Sequence, residues 1–460
     1  MDFTAGNTAL WGVFIQIGII AGILLAANIL RRKLSIVRRT LLPVSVLGGF
    51  LLLLIRLSGF IVIDARLLEM ITYHGIAIGF IALSLRTREA GGPRDSLTAP
   101  KSGALIVSCY LLQGIAGLAI TLGLAYTIMP DLFKAAGILL PMGYGQGPGP
   151  ANNIGAAYEN LGFAGGRSFA LSIAASGFLA ACIAGIIYLN ILFRKGVISK
   201  KEGNAISGSI TTEVLQDADE LPLSESVDRF SINLAMVLLT YLITYLCLRF
   251  LSFIACRAGA GVEKTVVPLL WGFNFIVGSL AAMLVRVFLG RLRRIKVMNH
   301  QYQNNYLLSR ISGLAFDVMI ISGIAGIDVS GLRSLWLPFI LLSAAGTFFT
   351  LFYLKWICRK LYPGYYLEGM MSLYGMMTGT ISSGILLLRE LDPQYETPAA
   401  GNLISGSAFA ILFGFPMLAL IGIAPGSPLL TFVVLGLLIV YFFLLLIFIL
   451  MAKPRRNVSE

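Results

Sequence analysis

The feature that most constrains this chain is a series of unbroken apolar runs. Leu10 to Leu30, Phe169 to Phe193, Ala400 to Ile423 and Leu429 to Leu450 are each long enough to cross a hydrocarbon core as a helix, which takes roughly 20 residues. Strands of a membrane barrel are about half that length and alternate in polarity. Runs of this kind therefore specify an all-α polytopic membrane protein. Composition agrees: 57% of the 460 residues are hydrophobic and only 12% are charged, where a soluble domain carries about 25% charged residues to keep its surface wetted. Most of this surface meets lipid.

About 11 transmembrane helices are predicted on this criterion. They run Leu10–Leu30, Leu41–Gly59, Leu67–Leu85, Ala104–Met129, Phe169–Phe193, Ile232–Ile254, Val266–Leu289, Ile311–Ile327, Leu335–Trp356, Ala400–Ile423 and Leu429–Leu450. Between the fourth and fifth, and again between the ninth and tenth, lie Gly-rich stretches that are poor spanning helices.

Charge sets the orientation. Met1 to Thr8 hold no Lys or Arg, and the cluster Arg31-Arg32-Lys33 follows the first apolar run. A cleavable secretion signal has the opposite order, so a retained first helix with its N-terminus outside is expected. One side then collects about 25 Lys and Arg against about 8 on the other, a strong positive-inside asymmetry. This predicts a multi-pass inner-membrane protein with a cytoplasmic C-terminus. It also accounts for the net charge of +13 without invoking nucleic acid. The asymmetry holds only if both Gly-rich stretches return to the side they entered from.

The chain repeats itself. Tyr144-Gly145-Gln146-Gly147-Pro148-Gly149-Pro150 leads to Glu159-Asn160-Leu161, and Tyr374-Gly375-Met376-Met377-Thr378-Gly379-Thr380 leads to Arg389-Glu390-Leu391. Tyr, Gly, Gly and Leu coincide at one constant offset. Upstream, Glu69, Gly75 and Ala77 answer to Asp317, Gly323 and Ala325. Chance coincidence of glycines is the simpler explanation of either block alone; two blocks in the same order in each half argue against it. The expected plan is two inverted five-helix repeats, each with a Gly-rich re-entrant loop. Residues 1–193 form the first, with its loop near 135–161, and 194–229 a cytosolic linker. Residues 230–424 form the second, with its loop near 366–391, and 425–460 an extra C-terminal helix and basic tail.

Irregular backbone inside a bilayer is tolerated only where protein buries it or where it lines a cavity, and paired interrupted segments point to a transporter's binding site. Half-helix N-termini there favour an anion. The substrate-binding candidates are Gly145, Gln146, Gly147, Gly149, Asn152, Asn153, Gly375, Thr378, Gly379, Thr380, Ser382, Ser383 and Arg389. Pro148 and Pro150 stiffen the first bend and remove donors. Arg389 and Arg167 flank the stretches and suit a carboxylate, although Arg389 equally suits a snorkelling role at the cytosolic face. Asp317, amid Leu314-Ala315-Phe316 and Val318-Met319-Ile320-Ile321, is the leading candidate for ion coupling, against a structural helix–helix bond. Glu69 is the second candidate, nearer a span end. His74 reads first as a packed side chain. Cys109, Cys182, Cys247, Cys256 and Cys358 lack CxxC spacing and read as packing residues.

Asp64 to Gly92, Gly143 to Ala157 and Leu373 to Glu390 resemble the bacterial sodium/glutamate symporter family, similar in plan to the 2-hydroxycarboxylate carriers. That resemblance implies Na+-coupled symport of glutamate or a similar small carboxylate. It further implies an elevator-type movement of a core domain against a homodimeric scaffold, with Na+ as coupling ion and no other cofactor. Departures are local: Gln146 stands where the family's first loop has His, prolines follow Gly147, and the bulky Met376-Met377 stands where smaller residues are expected. An H+-coupled carrier for another organic anion is the nearest alternative. A membrane-embedded enzyme would need clustered acids for a metal, or a nucleophile with its base, and Asp317 and Glu69 each stand alone in their spans. The chain is thus expected not to be an enzyme.

Overall fold

The computed structural model describes residues 3–4, 7–34, 43–87, 97–195, 229–257, 263, 267, 270–298, 300–330, 333–392 and 397–451. Among them the chain is helical, with ten helices long and apolar enough to cross a membrane. It is a multi-pass membrane protein by that measure. We label the α-helices α1 (Thr8–Lys33), α2 (Val44–Leu57), α3 (Ala65–Leu85), α4 (Thr98–Thr127), α5 (Pro148–Asn160), α6 (Gly166–Arg194) and α7 (Arg229–Arg257). There follow α8 (Asn274–Arg294), α9 (Asn305–Ala325), α10 (Trp336–Leu361), α11 (Tyr366–Thr378), α12 (Ile381–Arg389), α13 (Ala399–Ile423) and α14 (Pro428–Met451).

Two of the predicted spans need correction. The second shortens to the 14 residues of α2, a length of about 21 Å at 1.5 Å per residue against a hydrocarbon core of about 30 Å. Pro43 starts it, and Ser58 followed by Gly59 at φ +73° stops it. The seventh, expected from Val266, is helical at Val267 and at residues 270–272, is interrupted by a turn at Phe273, and continues as α8 from Asn274. Its basic last turn, Arg291, Arg293 and Arg294, carries it past the expected Leu289. Cations at a helix C-terminus offset the negative end of its dipole. The basic last turns of α1 and α10 do the same.

The chain divides into two compact units, and each takes segments from both halves of the sequence. Unit 2 comprises residues 70–92 and 202–320. Its core joins Ile81, Ala82 and Leu85 of α3 to Val237 of α7, Ala282 of α8 and Leu308 and Ile311 of α9. Arg286 donates to the carbonyl oxygens of Ser84 and Arg86, satisfying acceptors that the end of α3 leaves over. Asn305 accepts from the Thr87 amide and donates to the Thr87 carbonyl.

Unit 1 comprises residues 1–69, 93–201 and 321–460. Helix α4 is the most enclosed of the long helices among the described residues. Small residues let its neighbours approach. A Cβ on Gly406 of α13 would lie 2.8 Å from the Ser102 side chain, and one on Gly346 of α10 would lie 2.9 Å from the Leu140 and Tyr144 side chains. Between helices in lipid, such close packing replaces the hydrophobic drive that water supplies elsewhere. The predicted linker at 194–229 lies outside the described residues except at its ends, as do residues 452–460 of the tail.

Candidate functional site

Both Gly-rich stretches are broken helices in unit 1. The first leaves α4 and doubles back along it. Thr121 Oγ1 donates to the Lys134 carbonyl and accepts from the Gly137 amide, at 3.0 and 3.2 Å. A 3₁₀ turn over Lys134–Ile138 and a π turn over Pro141–Gly145 lead towards the middle of α4. A Cβ on Gly145 would lie 3.1 Å from Gln113 Oε1.

The chain then breaks at Gln146-Gly147. Gly147 has φ +85° and ψ −171°, a region open in practice only to glycine. Pro148 follows as the first residue of α5, where proline's missing N–H costs nothing and its fixed φ suits a helix start. Helix α5 returns to the start of the segment: Phe133 lies 5.6 Å from the Tyr158 ring and stacks on Phe163 at 4.9 Å.

The second break follows the same plan. Tyr362 and Ser102, near the N-terminal end of α4, share a hydroxyl hydrogen bond of 2.6 Å. Helix α11 runs from there to Thr378. The backbone breaks at Gly379-Thr380, and α12 folds back on α11. A Cβ on Gly375 would lie 2.8 Å from Gly384 Cα, so the two half-helices touch backbone to backbone. Asn402, near the start of α13, donates to the Tyr365 hydroxyl at 2.6 Å, so the chain returns to the level at which α11 began.

The two tips meet. A Cβ on Gly147 would lie 3.5 Å from the Gly379 carbonyl oxygen and 3.5 Å from Thr380 Cγ2. Gln113, midway along α4, spans them. Its Nε2 donates to the Met377 carbonyl and to Thr350 Oγ1 of α10, both at 2.9 Å, while its Oε1 faces Gly145. A row of hydroxyls on α10 fixes the first tip from the side. Tyr144 donates to the Ser343 carbonyl at 2.8 Å and lies 3.1 Å from Thr347 Oγ1, and Ser343 meets Ser176 of α6 at 2.9 Å.

Four buried oxygens around the tips have no hydrogen-bond partner among the described residues: Gln113 Oε1, Asn152 Oδ1, Thr380 Oγ1 and Ser383 Oγ. Gln113, Asn152 and Ser383 are 1%, 4% and 2% exposed, so solvent at the protein surface does not serve them. Leaving a buried polar atom unsatisfied costs about 1–3 kcal/mol. Buried polar atoms that the chain itself leaves over are served by ordered water, an ion or a ligand.

The set leans towards acceptors. Two of the four are amide carbonyl oxygens and two are hydroxyls able to accept. Pro148 and Pro150 remove two N–H donors from the first turn of α5, and the Ala151 amide is taken by the Gly147 carbonyl. On the other tip, Thr380 is the residue before α12 yet makes no capping bond to it.

Of the predicted residues, the structure gathers Gly145, Gln146, Gly147, Gly379, Thr380 and Ser383 at the tips. Gly149, Asn152 and Asn153 fall in the first turns of α5. Gly375 is a packing residue against α12, and the Thr378 hydroxyl turns back onto the Tyr374 carbonyl at 2.8 Å. The side chains of Ser382 and Arg389 lie outside the described residues. Asp317 is on the portion of α9 that belongs to unit 2. Glu69 forms an ion pair with Arg167, whose amide and side chain also engage Glu159, at 3.0 and 3.8 Å. His74 bonds the Tyr241 hydroxyl through Nδ1 at 2.6 Å, but it is exposed at the protein surface and not the packed core side chain expected. Among the described residues no three His, Cys, Asp or Glu side chains cluster as a metal site.

Sequence reasoning missed Gln113 and Thr350. The one available signal was a lone amide in the middle of an apolar run. No family model, curated protein or solved structure gives a significant match to this chain.

Proposed function

We propose that this protein is a secondary active transporter that couples Na+ to the uptake of glutamate or a similar small carboxylate, and that it is not an enzyme. The observation that carries the reading is the meeting of two broken helices beside Gln113, with four buried oxygens there lacking partners in the chain. In this reading the broken segments are re-entrant hairpins of two inverted repeats. Their attachment near opposite ends of α4, at Thr121 and at Ser102, supports that. Tips at mid-helix would lie near the bilayer midplane, where carriers of this build hold their cargo.

The chemistry follows from the half-helices. The C-terminal carbonyls of α11 and the unpartnered oxygens favour a cation, and the N-terminal end of α12 favours a carboxylate. Asp317 is the proposed second participant in ion coupling, and an elevator movement of a homodimer is the proposed mode of transport. Resemblance of the Gly-rich stretches to the sodium/glutamate symporters agrees with this assignment.

The test is uptake of labelled glutamate, aspartate and dicarboxylates into proteoliposomes under an inward sodium gradient, with potassium and proton gradients as controls. Sodium-driven accumulation of one carboxylate is expected. Failure to move any of them under any gradient would overturn the reading.

A further inference from the structure

We propose that Gln113 of α4 is a direct ligand of the coupling cation, held so that it presents an oxygen and never its NH2 group. The proposal rests on the carrier reading and adds to it a residue outside both Gly-rich stretches.

An amide side chain can turn either end towards a site, and Gln113 has a reason not to. Its Nε2 has two donor hydrogens, and each has an acceptor: Thr350 Oγ1 on α10 and the Met377 carbonyl at the end of α11, both at 2.9 Å. Turning the amide over would set its oxygen against the Met377 carbonyl, two acceptors facing each other. The clamp therefore fixes Oε1 on the side of Gly145. That oxygen is buried with no partner among the described residues, as are Thr380 Oγ1 and Ser383 Oγ on the second tip.

Neutral oxygens in a dry setting suit a cation, whose hydration shell they replace, and disfavour an anion. Gln113 also reads both tips at once, since its nitrogen holds one and its oxygen lies beside the other. A cation on Oε1 is thus tied through one amide to the position of α11, so occupancy of the site and seating of the second tip are linked.

Purified full-length protein is heated in NaCl or in choline chloride at matched ionic strength, and the sodium concentration that gives half the thermal shift is read. Gln113→Met keeps the length and removes the oxygen. The expected result is a rise in the sodium midpoint of at least tenfold, with KM for sodium in proteoliposomes rising in parallel and Vmax kept within a few-fold.

A purely structural role would instead lower the melting temperature in choline and leave the midpoint unmoved, and that result overturns the proposal. Thr350→Val leaves Gln113 in place but unties one hydrogen of its amide. It is the second variant should Gln113→Met not fold, with a rise of about threefold expected. An unchanged midpoint there also overturns the proposal. Wild-type transport without any sodium dependence would overturn this inference and leave a carrier standing; absence of all transport would overturn the carrier reading itself.

Discussion

Gly177, halfway along α6, lies against the backbone carbonyl oxygen of Thr378, the last residue of α11 before the second break. The ring of Tyr144, on the first broken segment, flanks the same position at 3.2 Å from a Cβ placed there. One glycine therefore seats both segments against α6.

Replacing Gly177 with Val inserts atoms where backbone already stands. Overpacking of this kind costs about 1–3 kcal/mol or more. A clear fall in melting temperature in detergent is expected. Gly123, on α4 with open space where a Cβ would go, is the control. Gly123→Val should change stability by no more than about 0.5 kcal/mol. Equal effects at the two positions would contradict the packing described.

Gly147 separates crowding from backbone conformation. A Cβ there meets only ordinary contacts at 3.5 Å, but φ +85° with ψ −171° lies outside what a side chain allows. Gly147→Ala should cost about 1–3 kcal/mol through backbone strain. Gly147→Asn should do no better, because asparagine tolerates the left-handed helical region and not this one. Rescue by Asn in a thermal melt would show that the break is an ordinary turn.

The Glu69–Arg167 pair is half-exposed, with side-chain exposures of 38% and 26%. Its contribution should be modest, since solvent screens such pairs to about 1 kcal/mol or less. A double-mutant cycle of Glu69→Gln and Arg167→Met, read by melting temperature, should give a coupling of that order. The coupling should shrink between 0.1 and 1 M salt, where the screening length drops from about 10 to about 3 Å. A larger, salt-independent coupling would mark the pair as buried in the membrane-embedded protein.

Asp317→Asn tests the proposed coupling role of the acid in α9. Ion-driven accumulation should fall by about tenfold or more, as expected for an intramembrane carboxylate on an ion path. Counterflow exchange of the same substrate should persist. Loss of both together, with a lowered melting temperature, would assign Asp317 to helix packing instead.

The long helices were legible because crossing a membrane demands length and little else. The predicted Leu335–Trp356 and the observed Trp336–Leu361 differ mainly where a basic last turn extends the helix. Both breaks fall in stretches that the sequence had marked by glycine, but not at one shared offset. Pairing Tyr144-Gly145 with Tyr374-Gly375 sets Gln146-Gly147, where the first break falls, against Met376-Met377. The structure puts them inside α11 and breaks the chain at Gly379-Thr380. Gly375 serves instead to bring α11 onto Gly384, a use of glycine that composition does not distinguish from a bend. Gln113 was invisible for a plainer reason: its two partners lie 237 and 264 residues away in the chain. No local pattern reports such contacts.

Helix α4 is fastened to the first broken segment through Thr121 and to the second through Gln113 and Ser102. Both tips thus hang from one mast. Prising the tips apart would break those ties, so in the proposed carrier both tips would travel together with α4 as one body.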